Sequence, residues 1–409
     1  MDKLLRSHAN SIIAASIEAV LPDSAVQRAL EGKEFPGRVF LVAAGKAAWQ
    51  MAKAAYEKMG SQLSGGVVVT KYDHVKGAIG DFICCEGGHP VPDDNSFVGT
   101  RKALALTENL QETDTVLFLL SGGGSALFED PLVSGEELQD ITRQLLACGA
   151  DIVEMNTIRK RLSRVKGGRF AQHCAPAKVY AIVLSDIIGD PLDMIASGPA
   201  CPDSSTCADA LAIAKKYSLQ LSEKAIALLS QETPKELKNV TTCISGSVKE
   251  LCAAAAKAAQ ALGYEPELLT AELSCQAREA GAFLGAVART HAGSGKAFIA
   301  GGETVVKLTG KGLGGRNQEL ALAAAPLIAD VPGVAVFSLG SDGTDGPTDA
   351  AGGYVDHSSQ KALTEAGLSV FDVLADNDAY HALQKVDGLI LTGPTGTNVN
   401  DVAVVLCKT

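Results

Sequence analysis

The chain has 409 residues, more than one ordinary core accommodates and enough for two or three domains. Its composition, 46 % apolar with 36 basic against 47 acidic residues, describes a globular acidic protein of net charge −11. That balance excludes a nucleic-acid binder, whose footprint is a basic patch, and leaves room for small anionic ligands in local basic pockets.

The amino-terminal segment MDKLLRSHANSIIAASIEAVLP is amphipathic but interrupted by Arg6, His8, Asn10 and Glu18, with no signal-peptide core. No stretch reaches the ~18 uninterrupted apolar residues of a membrane span, and the ten cysteines form no CxxC pair. A cytoplasmic protein with reduced thiols is the expectation, with no membrane partner. The first apolar run, RVFLVAAGK, ends at Lys46, where a strand meets a helix-like stretch and a lysine suits neutralising a phosphate or carboxylate. GGVVVTK follows, then GGHPVPDDNS, whose His89 sits alone among turn residues and lacks the company a zinc site needs. DTVLFLLSGGGS places Ser121, Gly122, Gly123, Gly124 and Ser125 directly after a buried-looking strand. Glycines there let backbone N–H groups approach an anion, although neither a Walker A loop nor a nucleophile elbow is spelled. The basic run MNTIRKRLSRVKGGRFAQ is expected to be a solvated helix face. VYAIVLSD then ends on Asp186.

A boundary is expected near QETPKELKN, giving domains 1–236 and 237–409, with the run TTCISG opening the second. KAFIAGGE leads to Glu303, and GKGLGGRNQE matches G-x-G-x-x-G through Gly310, Gly312 and Gly315. A dinucleotide fingerprint wants an acid ~20 residues on at the next strand end, which this stretch does not offer; Arg316, entering after the glycines, reads instead as an anion clamp. GVAVFSLGSD delivers Asp342, followed by Asp345 and Asp349 among glycines. Three close carboxylates must be hydrated, bonded to backbone donors, or gathered on a cation. Asp186 and Asp342 are the first polar positions after buried strands, and Mg²⁺ takes such sparse carboxylates together with substrate phosphates. Near-continuous apolar runs alternating with helical stretches imply an α/β protein with parallel sheets, ligands lying at the carboxyl ends of strands.

Eight motifs in order, AAGKAA, GGHPVPD, SGGGSAL, MNTIRKRLSRVKGGRFA, LSDIIGDPLDMIASGP, GGETVVKLTGKGLGGRNQE, SLGSDGTDGPTDAAG and TGPTGTNVND, resemble those of the glycerate 2-kinases, members of which were often labelled hydroxypyruvate reductase. The resemblance implies a Rossmann-like amino-terminal domain, a carboxy-terminal α/β MOFRL domain and an active site in the cleft between them. It implies transfer of a phosphoryl group from ATP, with Mg²⁺, to the 2-hydroxyl of D-glycerate. On the matching positions, Lys46 and Arg316 are the cationic residues, and Asp186, Glu303 and Asp342 the acidic ones. The expected roles are then substrate binding by Lys46, Glu303 and Arg316, nucleotide binding by residues 121–125, metal binding by Asp186 and Asp342, and catalysis by Lys46, Arg316, Asp186 and Asp342. A homodimer is one assembly compatible with this reading. The alternatives are an NAD(P)-dependent hydroxypyruvate reductase and a non-catalytic sensor of a sugar acid or nucleotide.

Overall fold

The structure is a computed structural model that describes residues 1–409. Its contacts divide into two compact units: Ala25–Ser185 with Asp190–Ser245, and Met1–Ser24 with Asp186–Gly189 and Gly246–Thr409. A single cut of the chain at 236/237 is therefore not how the contacts fall. The amino-terminal helix Lys3–Val20 turns its apolar side, Leu5, Ala9, Ile12 and Ile13, into the same core as Val248, Leu251, Ile299 and Phe337 of the second unit. Asp2 starts that helix by accepting the N–H groups of Leu4 and Leu5.

In the first unit six strands, β1 (Val39–Ala44), β2 (Leu63–Lys71), β3 (Ile83–Gly87), β4 (Thr115–Leu120), β5 (Lys178–Leu184) and β6 (Val240–Gly246), lie in the order β3-β2-β1-β4-β5-β6. The pairs β1/β2, β1/β4, β2/β3 and β4/β5 are parallel. β1 and β4 are buried along their whole length, which accounts for their unbroken apolar runs. β6 contains TTCISG, so that run closes the first sheet instead of opening the second domain. The strand order reverses direction between β1 and β4, and the loops leaving their carboxyl ends carry Lys46 and Ser121 to Ser125.

The second unit holds β7 (Glu265–Leu273), β8 (Lys296–Gly302), β9 (Val334–Gly340), β10 (Gly352–Asp356), β11 (Leu389–Ile390) and β12 (Asp401–Cys407), ordered β11-β10-β9-β12-β8-β7. This sheet is mixed, not parallel: only β7 and β8 run together, and β12 inserts antiparallel between β8 and β9. Continuous apolarity reports burial on both faces and says nothing of direction, hence the difference from the sequence expectation. The helix Arg316–Ile328 covers one face through Leu320, Ala324 and Ile328, packed with Leu284, Val336 and Val405.

The basic run 155–172 is not a solvated face. Lys160, Arg161 and Lys166 are buried, paired with Asp203 and Glu129 far along the chain. Lys166 Nζ lies 2.9 Å from Glu129 Oε2 with both side chains fully enclosed, and burial pulls the lysine down to about 8.

Candidate active site

In the first unit the register sets Ala44 beside Leu120, so the two loops that follow leave the sheet side by side. Lys46 N–H donates to the Gly122 carbonyl at 2.9 Å, and the Ser121 hydroxyl accepts from Ala47 N–H at 3.0 Å. Gly45, at φ +120°, has room for no Cβ because Ser121 occupies that space. Ser121 is thus buried, its hydroxyl spent on Ala47 N–H just ahead of the helix Ala48–Met59. Gly124 is likewise buried, packed on Ala196. Gly122, Gly123 and Ser125 stay accessible; the Ser125 hydroxyl shares a 3.1 Å hydrogen bond with Ser197, and Arg159 Nη2 donates to its carbonyl. A Cβ at Gly123 would meet the His89 ring at 3.0 Å and the Lys46 stem at 3.2 Å, so lysine, imidazole and glycine turn form one group. Burial, together with Lys46 and then Lys71, pushes His89 below its ordinary value and favours the neutral ring.

In the second unit the inserted β12 decides the geometry. Its first residue, Asp401, stands opposite Gly302 on β8 and Gly340 on β9, so one antiparallel strand start joins two strand ends. Glu303 follows Gly302 and Asp342 lies just beyond Gly340. A Cβ at Gly340 would meet Asp342 Oδ1 at 3.2 Å and Asp401 Oδ1 at 3.4 Å, which puts those two carboxylates on one small patch. Arg316 reaches Asp401 and Glu303 from the start of its helix. Its Nε donates to Asp401 Oδ2 at 2.5 Å, Nη2 to Asp401 Oδ1 at 3.0 Å, and Nη1 to Glu303 Oε1 at 2.9 Å. Burial works against the Arg316 charge, but the bonds and charge of Asp401, with Glu303 and Asp345, hold it above its ordinary value. Asn400 completes the group: its Nδ2 donates to the Asp186 carbonyl at 3.2 Å and to Glu303 Oε2 at 3.3 Å. Arg316, Glu303, Asp342 and the Asp186 backbone are therefore together, and Asp401 and Asn400 join them without having been singled out from sequence.

The three aspartates of the SDGTDGPTD loop take three separate roles. Asp342 Oδ1 accepts from Thr344 N–H at 3.0 Å and the side chain remains half-exposed. Asp345 is buried, its carboxylate accepting from Asn317 N–H at 3.2 Å and Gln318 N–H at 2.9 Å; burial raises its carboxyl against those bonds. Asp349 accepts from the Tyr380 hydroxyl at 2.7 Å.

No group of three or more His, Cys, Asp or Glu side chains gathers in metal-ligating geometry, so no all-protein cage is built. The half-exposed carboxylates of Asp186 and Asp342 are nonetheless hard oxygen donors of the kind Mg²⁺ shares with phosphates and water; the Asp186 carbonyl accepts from Asn400, and Ser341, the residue before Asp342, donates its N–H to the Asn400 carbonyl.

The G-x-G-x-x-G stretch does not form a pyrophosphate cradle. Asn377 Oδ1 takes the N–H groups of Thr309 and Gly310, Asp376 those of Lys311 and Gly312, and Asp378 that of Leu313. The helix start behind it gives its donors to Asp345. The glycines are there because Asp376, Asp378 and Asp345 leave no space for side chains at 310, 312 and 315.

A family described as the MOFRL family matches residues 296–401, and a domain of unknown function, DUF4147, matches residues 8–230. A protein of Thermotoga maritima named D-glycerate 2-kinase is 53 % identical over 98 % of each chain. A protein of Agrobacterium vitis that carries a hydroxypyruvate reductase name is 38 % identical over 90 % of this chain and 87 % of its own. The crystal structure of a glycerate kinase from Thermotoga maritima superposes with a TM-score of 0.95, covering 99 % of this chain and 100 % of the other at 52 % identity.

Proposed function

The chain belongs to the glycerate 2-kinase family and is a kinase of glycerate, and on that premise we propose that it moves the γ-phosphoryl group of ATP, with Mg²⁺, to the 2-hydroxyl of D-glycerate. The products are 2-phospho-D-glycerate and ADP. The P–O bond to the β-phosphate breaks as a bond from the 2-hydroxyl oxygen forms, and the hydroxyl proton passes to a carboxylate.

Such a reaction asks the protein for positioning and for charge neutralisation around a loose transition state. We assign the nucleotide phosphates to the N–H groups of Gly122 and Gly123 and the Ser125 hydroxyl, with Ser121 and Gly124 shaping that loop. Lys46 and Arg316 serve glycerate and the moving phosphoryl group, and Glu303 stands on Arg316 at that place in the resting protein. Asp186 and Asp342 hold Mg²⁺, which when bound screens charge on the phosphate oxygens. One of these two aspartates also accepts the proton. The observation that supports this reading most is the line Gly302–Asp401–Gly340, which sets one guanidinium on Glu303 and Asp401 at a strand-end edge, with Asp342 beside Gly340.

The deciding experiment supplies D-glycerate, ATP and Mg²⁺ and passes the product directly to enolase, which accepts the 2-phosphate without a mutase. Turnover through enolase supports the reading; ATP consumption without an enolase signal moves the phosphate to another hydroxyl. The reductase alternative fares poorly on geometry, because the backbone donors of residues 309–313 that a pyrophosphate would use are already bonded.

A further inference from the structure

Glu303 is itself a carboxylate held in a two-donor grip: Arg316 Nη1 on one oxygen at 2.9 Å, Asn400 Nδ2 on the other at 3.3 Å. We propose that this grip is the seat of the substrate carboxylate, that Asn400 is a substrate-binding residue, and that Glu303 fills the seat until an α-hydroxy acid displaces it. The inference rests on the glycerate reading above and names which groups recognise the acid.

Four features carry it. The two acids on Arg316 are not equivalent: the Asp401 side chain is 8 % exposed and bound side-on, whereas Glu303 is 46 % exposed and bound through one oxygen. Asp401 is therefore the fixed partner and Glu303 the one that water or a ligand reaches. Guanidinium carries five N–H donors, and the three bonds to Asp401 and Glu303 leave two more for an incoming oxyanion. Asn400 is held for one task, since its amide spends one N–H on the Asp186 carbonyl and keeps the other aimed at the carboxylate. Finally, one guanidinium facing two carboxylates carries net negative charge locally, so a third carboxylate enters only if Glu303 withdraws. An internal occupant of this kind lowers apparent affinity by the fraction of time the seat is filled.

Calorimetric titration of the full chain with D-glycerate and with glycerol tests this. Wild type should bind D-glycerate and not glycerol. Asn400 has φ +67°, which glycine adopts freely, so Asn400→Gly removes the amide without backbone strain. Its Kd for D-glycerate should rise on the order of ten- to hundredfold, the usual effect of losing a hydrogen bond to a charged group, while affinity for ATP stays as it was. Glu303→Gln should tighten D-glycerate several-fold by removing the charge that holds the occupant in the seat. An unchanged Kd in Asn400→Gly, or a weakened one in Glu303→Gln, overturns the proposal. If Asn400→Gly does not fold, Asn400→Asp keeps the shape and must weaken binding by putting a like charge in the grip; unchanged affinity there overturns it too. The two readings fail separately. Glycerate bound with this variant pattern but never phosphorylated sinks the kinase assignment and leaves the seat. Glycerate phosphorylated with equal affinities in all variants sinks the seat and leaves the kinase.

Discussion

Asp401 grips Arg316 side-on, Oδ2 on Nε at 2.5 Å and Oδ1 on Nη2 at 3.0 Å, from the amino end of a strand whose two neighbours both run the other way. This pair aims the guanidinium, and burial pushes the Asp401 carboxyl up to about 6 even with Arg316 opposing.

Activity should therefore fall as the pH drops through about 6, where Asp401 takes a proton and its hold on Arg316 loosens. The stability contribution of the same group has the opposite sign. An aspartate raised from its ordinary ~3.9 binds more protons folded than unfolded, so its contribution is fully present below ~3.9 and is lost as the pH rises through about 6. Asp401→Asn should lower kcat/KM roughly ten- to hundredfold at neutral pH and flatten the acid limb of the profile. A pH–rate profile of the variant with the limb intact assigns that limb to another group.

Lys46→Ala and Arg316→Ala should each reduce turnover roughly a hundredfold or more, as expected when a fixed positive group beside a developing charge is removed. Both side chains are at least partly exposed, so far-ultraviolet circular dichroism should not change. Arg316→Lys should recover little, because an ammonium cannot span Asp401 and Glu303 in the same plane. Near-normal rates with an intact spectrum would remove either residue from its proposed role.

Many of the candidate residues of each unit could be read from the chain because of where buried strands put their loops. Lys46, the 121–125 loop, Asp186, Glu303 and Asp342 all follow buried apolar runs, and a rule that inspects strand ends finds them. The same rule is blind to Asp401 and Asn400, which precede a strand. They reach the edge only because β12 is antiparallel, and direction leaves no trace in an apolar run. Short or exposed strands such as β10 and β7 were also hard to see, the latter because an edge strand half in water loses its apolar signature. The run Arg159–Lys166 misled for a related reason. Its partners Glu129 and Asp203 lie about 40 residues away, and a periodicity count cannot show a neutralising acid that the fold brings in.

The glycine stretch 310–315 gives a test that separates packing from cofactor binding. Gly312→Ala would drive a methyl group into Asp376 and Asp378, so it should destabilise the protein by about 1–3 kcal/mol, seen as a lowered Tm. Wild type mixed with hydroxypyruvate and NADH should show no loss of nicotinamide absorbance. Steady NADH oxidation that Gly312→Ala abolished at a temperature where the variant is still folded would restore the dinucleotide reading.

The Lys166–Glu129 pair is enclosed on all sides, which makes its two halves interdependent. Lys166→Met strands a carboxylate in the interior and should cost about 3–5 kcal/mol in urea denaturation, whereas Lys166→Met with Glu129→Leu should regain most of that loss. The wild-type pair also has a pH signature. Burial lowers the lysine from 10.5 to about 8, so between those values the folded protein has shed a proton that the unfolded chain still holds. The group's penalty on stability is full below pH 8 and is relieved as the pH rises toward 10.5. Stability of wild type relative to the double variant should accordingly increase across that window. A difference that stays flat would mean that burial does not lower Lys166, and a single variant as stable as the double would mean that the pair's two halves are not interdependent.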